Sequence, residues 1–196
     1  IKMGDLNLGY EIDSLNMVTA SFGLMGFDNK SEMNSANTMK GGFYGEGFSY
    51  KSFSDQDNDS YSINGSVDYQ HTFANNKERM LTLSYLISTT PNYTDAYSLF
   101  ETNGQESLVN MTNRYTDGYR NTLENTFQAD FSTPLAAGHK LNVGAKYILR
   151  NNKSDSKYYV DDNGQYVYNE AGSLNYKHQN DILAGYVEYD GKWGKW

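Results

Sequence analysis

Between Ser60 and Phe73, Tyr61, Ile63, Val67, Tyr69 and Phe73 alternate with Ser62, Asn64, Ser66, Asp68, Gln70 and Thr72. A period of two sends successive side chains to opposite faces of a strand. The segment therefore predicts a strand about 40 Å long, at roughly 3.3 Å per residue, with one apolar and one wholly polar face. Strands in globular proteins are usually shorter. The pattern recurs in Leu6, Leu8, Tyr10 and Ile12, in Val18, Ala20, Phe22 and Leu24, and in Leu81, Leu83, Tyr85 and Ile87. It returns in Leu123, Phe127, Ala129 and Phe131, and in Leu141, Val143, Ala145, Tyr147 and Leu149, each set interleaved with polar residues or glycine. Ile182 to Tyr189 is apolar on both sides, which leaves its facing open.

The connections alternate too. Asp13–Asn16, Ala74–Arg79, Ser132–His139 and Asp190–Lys192 are short and rich in turn formers. The connections between them, about Asp28 to Asp59, Ser88 to Tyr119 and Asn151 to His178, far exceed the usual median of about five residues. An antiparallel up-and-down meander of about seven or eight strands then gathers the tight turns at one end and the long loops at the other. Within the loops, Asn163-Gly164 between two Tyr/Val runs predicts a protruding hairpin. Phe43 to Phe53, with its interleaved glycines, reads as an extension of the flanking strands, and Asp95 to Val109 has room for a short helical turn.

Composition decides what the apolar faces are for. The 196 residues include 18 Tyr, 18 Gly, 2 Pro and no Cys, with 15% aromatics, and mean hydropathy is −0.74. Disordered chains lack aromatics, so a folded, Tyr- and Gly-rich β protein is expected. The lack of Cys removes disulfides and thiolate metal sites and suits a chain that crosses an oxidising compartment unfolded. A net charge of −8 without a basic stripe argues against nucleic acid as partner. No run approaches the roughly 18 apolar residues of a transmembrane helix. No signal peptide, plug-like domain or TonB-interacting segment is read in the sequence, and both ends read as cut from a longer protein.

Roughly ten-residue alternating strands with short turns at one end and long loops at the other fit a transmembrane β-barrel, whose outer side meets lipid and whose polar side lines a wet lumen. Tyr10, Tyr69, Phe73, Phe131, Tyr189, Trp193 and Trp196 are placed to form interfacial girdles. Two alternatives remain at this point: a small closed eight-stranded outer-membrane barrel of structural or adhesin type, and a soluble β domain that binds glycans through its loops.

Asp68–Phe73, Asn76-Lys77, Leu81–Tyr85 and Ser88–Asn92, with Lys140-Leu141, Lys146–Asn152, Asn180–Ala184 and Trp193–Trp196, resemble the barrel portion of TonB-dependent outer-membrane receptors, in the branch called the outer-membrane β-barrel family. The resemblance covers nearly the whole chain, residues 1–196, as a single barrel segment without its plug. It implies a Gram-negative outer-membrane location and a wall of a 22-stranded importer of siderophores, cobalamin, glycans or peptides. It also implies lipid and the imported solute as partners, and the periplasmic TonB energy-coupling complex through the missing plug.

No enzyme constellation emerges, and no cofactor is expected. Glu124 and Asp130 share a face but lie roughly 20 Å apart along a strand, too far for a glycosidase pair. His71, His139 and His178 have no metal-ligand spacing. Asp55, Asp57 and Asp59 alternate as a calcium loop begins, yet Ser60 replaces its glycine and Ser66 its bidentate glutamate. They read as a solvated acidic loop tip, with a loose extracellular calcium site as the other reading. Tyr93, Tyr97 and Phe100 in one long loop, and Tyr158, Tyr159, Tyr166 and Tyr168 in the hairpin, are candidates to stack on sugars or planar ligands; the other reading is that they pack loop on loop.

Overall fold

The computed structural model describes residues 1–42, 47–102, 111–192 and 194. Nine strands form one antiparallel sheet: β1 (Lys2–Asp13), β2 (Asn16–Met39), β3 (Phe48–Phe73), β4 (Asn76–Thr89), β5 (Asn92–Thr102), β6 (Arg114–Ala136), β7 (His139–Asp162), β8 (Gln165–Tyr168) and β9 (Leu174–Gly191). They occupy seven positions across the sheet, because β4 and β5 follow one another between β3 and β6, and β8 and β9 both pair with β7.

Register explains the first of these breaks. The β3 pairings run Ile63↔Thr89 below and Ser60↔Asn92 above, in one uninterrupted register. Only Thr90-Pro91 intervenes, where proline lacks the N–H a ladder needs; its carbonyl still accepts from the Tyr61 N–H at 2.9 Å. The β8/β9 break differs. A 3-10 turn at Glu170–Gly172, capped by the Asn169 side chain, shifts the register by three residues.

Tight turns follow β1, β3 and β6 as the sequence predicts, and Asn163-Gly164 closes the β7/β8 hairpin with both residues at positive φ; the turn expected at Asp190–Lys192 is not found, since Asp190 and Gly191 still pair with β7. The long connections are in large part a correction. Phe48–Phe53 extends its strand and Tyr158–Asp162 forms the hairpin arm as the sequence predicts, but Asp28–Met39, Ser54–Asp59, Asn92–Thr102, Arg114–Tyr119 and Asn151–Lys157 are strand as well, so the helical turn expected in Asp95–Val109 is absent from its described part. Its remainder, with residues 43–46, Trp193 and Trp196, lies outside the described residues. β3 alone has 26 residues, whereas a membrane crossing needs about 9–11.

Tyr61 to Phe73 marks the apolar level. Its twelve steps, tilted by about 40°, rise roughly 30 Å, close to the lipid-facing band of a barrel. Val67, Tyr85, Phe127, Tyr147 and Leu183 lie abreast on this side, with Tyr85 against Phe127 at 4.9 Å and Phe127 against Tyr147 at 6.4 Å. None of the described residues covers them: Val67 is 47% exposed and Phe127 49%. Phe73 meets Phe131 edge-on at 6.0 Å at the turn end, and Tyr189 donates to or accepts from His139 at 2.6 Å. On the polar side Thr126 is only 5% exposed. Register puts Ile182 on that polar side and Leu183 and Val187 on the apolar one.

Candidate functional site: the two faces of the long strand extensions

Cross-strand partners share a face, and register runs without a bulge from the apolar level into the extensions of β2, β3, β6 and β7. The side continuous with the apolar belt carries three rows there. The lowest is Asp28–Asp59–Tyr93–Tyr119–Asp155, the next Lys30–Asp57–Asp95–Asp117–Lys157, and the third Glu32–Asp55–Tyr97–Tyr115–Tyr159, met by Tyr168.

Tyrosines and carboxylates interlock in these rows. Tyr93 lies 4.9 Å from Tyr119, and Tyr97 stacks on Tyr115 at 4.5 Å. Tyr115 also meets Tyr159 at 5.6 Å and Tyr166 at 6.3 Å. Its hydroxyl donates to Asp95 at 2.5 Å, and that bond, with burial and the charge of Asp95, pushes the phenol pKa well up. Lys30 pairs with Asp57 at 2.8 Å and Lys157 with Asp117 at 3.7 Å. Desolvation raises the Asp59 carboxyl, assisted by the Asp28 and Asp57 charges.

The seven aromatics grouped by sequence therefore divide. Tyr93, Tyr97, Tyr159, Tyr166 and Tyr168 share the outer side; Phe100 and Tyr158 lie on the other. All of those between Tyr93 and Tyr159 are on strands rather than in loops. The acidic run is likewise no loop tip. Asp55, Asp57 and Asp59 project along β3 at about 6.6 Å intervals, too widely spaced to converge on one cation, and among the described residues no group of three or more His, Asp or Glu is placed to hold a metal. Tyr115 and Tyr119 escaped notice in the sequence, although their four-residue spacing mirrors Tyr93 and Tyr97.

An exposed apolar belt, a polar reverse face and strands long enough to cross a bilayer with half their length to spare are the geometry of an outer-membrane barrel wall. Residues 71–196, nearly two thirds of the chain, match the outer membrane protein beta-barrel family. The chain belongs to that family. It is an outer-membrane protein, which overturns the soluble glycan-binding alternative. No curated protein matches the sequence.

In the family's geometry the polar side faces the lumen. At membrane level it bears both signs of charge. Arg150 binds Glu124 through Nε and a terminal nitrogen, both at 2.7 Å, Tyr186 donates to Asp130 at 2.5 Å across Gly144, and Asn142 donates to Glu188 and Asp190. Above that level hydroxyls and amides bond across the lumenal wall, with Phe27, Met33, Phe48 and Phe100 set among them. Thr94 donates to Asn58 at 2.8 Å, Thr122 to Asn152 at 2.9 Å, and Asn92 to Ser60. Arg114 rests over Phe100 at 5.4 Å and Arg120 faces Asn92 and Ser154. Neither arginine was singled out by sequence; the available signal was cations at even positions of a strand whose odd positions hold Tyr115 and Tyr119.

Proposed function

We propose that this chain is a wall and outer-mouth segment of a TonB-dependent receptor that imports a solute through the outer membrane. The observation that carries the reading is a largely polar lumenal face that continues along strands of 23 to 26 residues, from the turn end to far above the apolar belt, interrupted chiefly on β2 by Met25, Phe27 and Met33. Such a wall suits a solute taken up at a raised mouth and passed inward.

Backbone groups in lipid must be paired. Among the described residues, β1 pairs only with β2, and β9 only with β7, so in the membrane both edges need further strands. Seven positions supported by such strands suit a large barrel better than a small closed adhesin. The loop side captures solute, and energy coupling falls to a plug that contacts the TonB complex.

The test is accumulation of labelled cobalamin, a ferric catecholate, a linear oligosaccharide and a short peptide in the producing bacterium. Import predicts that one of them is lost both on deletion of the full-length gene and on collapse of the proton-motive force. Accumulation of all four unchanged in the deletion strain would overturn it.

A further inference from the structure

Carboxylates are sorted by face in the upper half of the sheet. The outer side there carries Asp28, Glu32, Asp55, Asp57, Asp59, Asp95, Asp117 and Asp155, with fewer lysines among them, Lys30, Lys51, Lys153, Lys157 and Lys177. The lumenal positions from Phe27 to Met39, Phe48 to Ser60, Asn92 to Thr102, Arg114 to Thr122, Asn152 to Val160 and Leu174 to His178 hold no carboxylate, only neutral residues, His178, Arg114 and Arg120. In a chain of net charge −8, the described lumenal wall between Glu124 below and Asp162 at the hairpin tip carries fixed charge of one sign, and that sign is positive.

The two arginines differ. Arg114 is laid on the Phe100 ring. Arg120 makes no side-chain hydrogen bond, ion pair or ring contact among the described residues, in contrast to Arg150 two lumenal positions below, which is held by Glu124. Its cross-strand neighbours are small, Asn92 on one side and Ser154 on the other, with Gly118 two residues back. Hollows of about 490 and 260 Å³ adjoin there, and Arg120 and Ser154 line both. A guanidinium presents a planar fork of donors suited to a carboxylate or phosphate, and the surrounding Thr and Ser hydroxyls suit a hydroxyl-rich body.

We infer that this lumenal surface is an anion-admitting vestibule, and that Arg120 pairs with the carboxylate or phosphate of an incoming hydroxyl-rich solute. The inference rests on the import reading for its physiological meaning, while the site itself does not need transport to occur. In bulk water a unit charge at about 7 Å is worth little more than thermal energy, but a walled cleft focuses the field, so a local preference of several-fold for anions is expected. The outer carboxylates point away through the sheet, where water and salt screen them over about 10 Å.

The sequence contains no cysteine, which permits a direct reading of the local potential. In the full-length receptor, Ser154→Cys places a thiol opposite Arg120. Its modification rates by an anionic and a cationic thiosulfonate are measured and normalised to a free thiol. The expected result is about a fivefold preference for the anionic reagent, lost in Arg120→Ser and Arg120→Gln and retained in Arg120→Lys. A control thiol at Asp57→Cys on the outer side should prefer the cationic reagent. A cationic preference at Ser154→Cys, or an anionic one indifferent to Arg120→Ser, would overturn the inference. Failure of uptake with the charge preference intact would sink the import reading alone.

Discussion

The two halves of β3 are built from one continuous strand yet answer to different surroundings. From Tyr61 to Phe73 the outer side chains are mostly apolar and the lumenal ones uncharged but for Asp68; from Phe48 to Ser60 the outer side is acidic and the lumenal side neutral. Backbone pairing does not change across the join. What changes is the medium: below, hydrocarbon tolerates no charge on the outer face, while above, water touches both faces and composition is free to follow another demand. Carboxylate sorting above the belt is therefore informative, because lipid does not impose it.

The largest expected break between the halves comes from placing the same cation in each. Val67→Lys, at mid-belt, should destabilise the reconstituted full-length barrel by about 2–4 kcal/mol, whereas Leu99→Lys, on the same side but above the belt and 37% exposed, should stay within about 0.5 kcal/mol. Denaturant unfolding in lipid vesicles measures both; equal effects would erase the boundary at Tyr61.

Next in size is a pair of lumenal glycines. A methyl on Gly144 would collide with the Tyr186 ring and the Asp130 carboxylate, whereas one on Gly118 would meet Thr94 at 3.6 Å, an ordinary contact. Gly144→Ala should cost about 1–3 kcal/mol and Gly118→Ala next to nothing in the same unfolding assay. A smaller contrast separates two ion pairs. Arg150→Ala, breaking the short pair with the 22%-exposed Glu124, should cost about 1 kcal/mol, and Lys157→Ala, at 3.7 Å from Asp117 and half exposed, an amount near the limit of measurement.

The smallest effect is a pH dependence confined to the upper half. Asp59 has a folded pKa above its usual 3.8, so the folded state binds the proton more tightly than the unfolded one. Stability then rises as pH falls from the raised value through 3.8, and the penalty is full at neutral pH. Asp59→Asn should slow amide exchange of upper β2 and β3 at pH 7 and have no such effect below about pH 3.5. Equal protection at both pH values would remove the penalty.

The lower half was legible because lipid on one side and water on the other leave a period-two signal; Leu81, Leu83 and Tyr85 announce their facing without any partner. The upper half was not, since Asp28 to Met39 and Phe48 to Asp59 meet water on both sides and carry no such alternation. Apart from Phe48 to Phe53, read as a strand extension, these runs read as loops, and their strand state comes from pairing with each other over 12 consecutive residue pairs. The hairpin at Asn163-Gly164 was readable above the belt because a two-residue turn states its geometry locally.

The sequence by itself determined the antiparallel meander, the tight turns after β1, β3 and β6, the apolar belt and the family resemblance, all of which depend on local period and turn chemistry. Only the tertiary structure decided which tyrosines stack, that Phe100 and Tyr158 part from the other five aromatics, and that Arg120 stands unpaired opposite Ser154 on a stretch of lumenal wall whose nearest carboxylates along the strands are Glu124 below and Asp162 above. Those facts follow from register. Sliding one strand by a single residue would send every side chain on it to the opposite face, and where neither face is apolar nothing in the local sequence says which of the two registers is used.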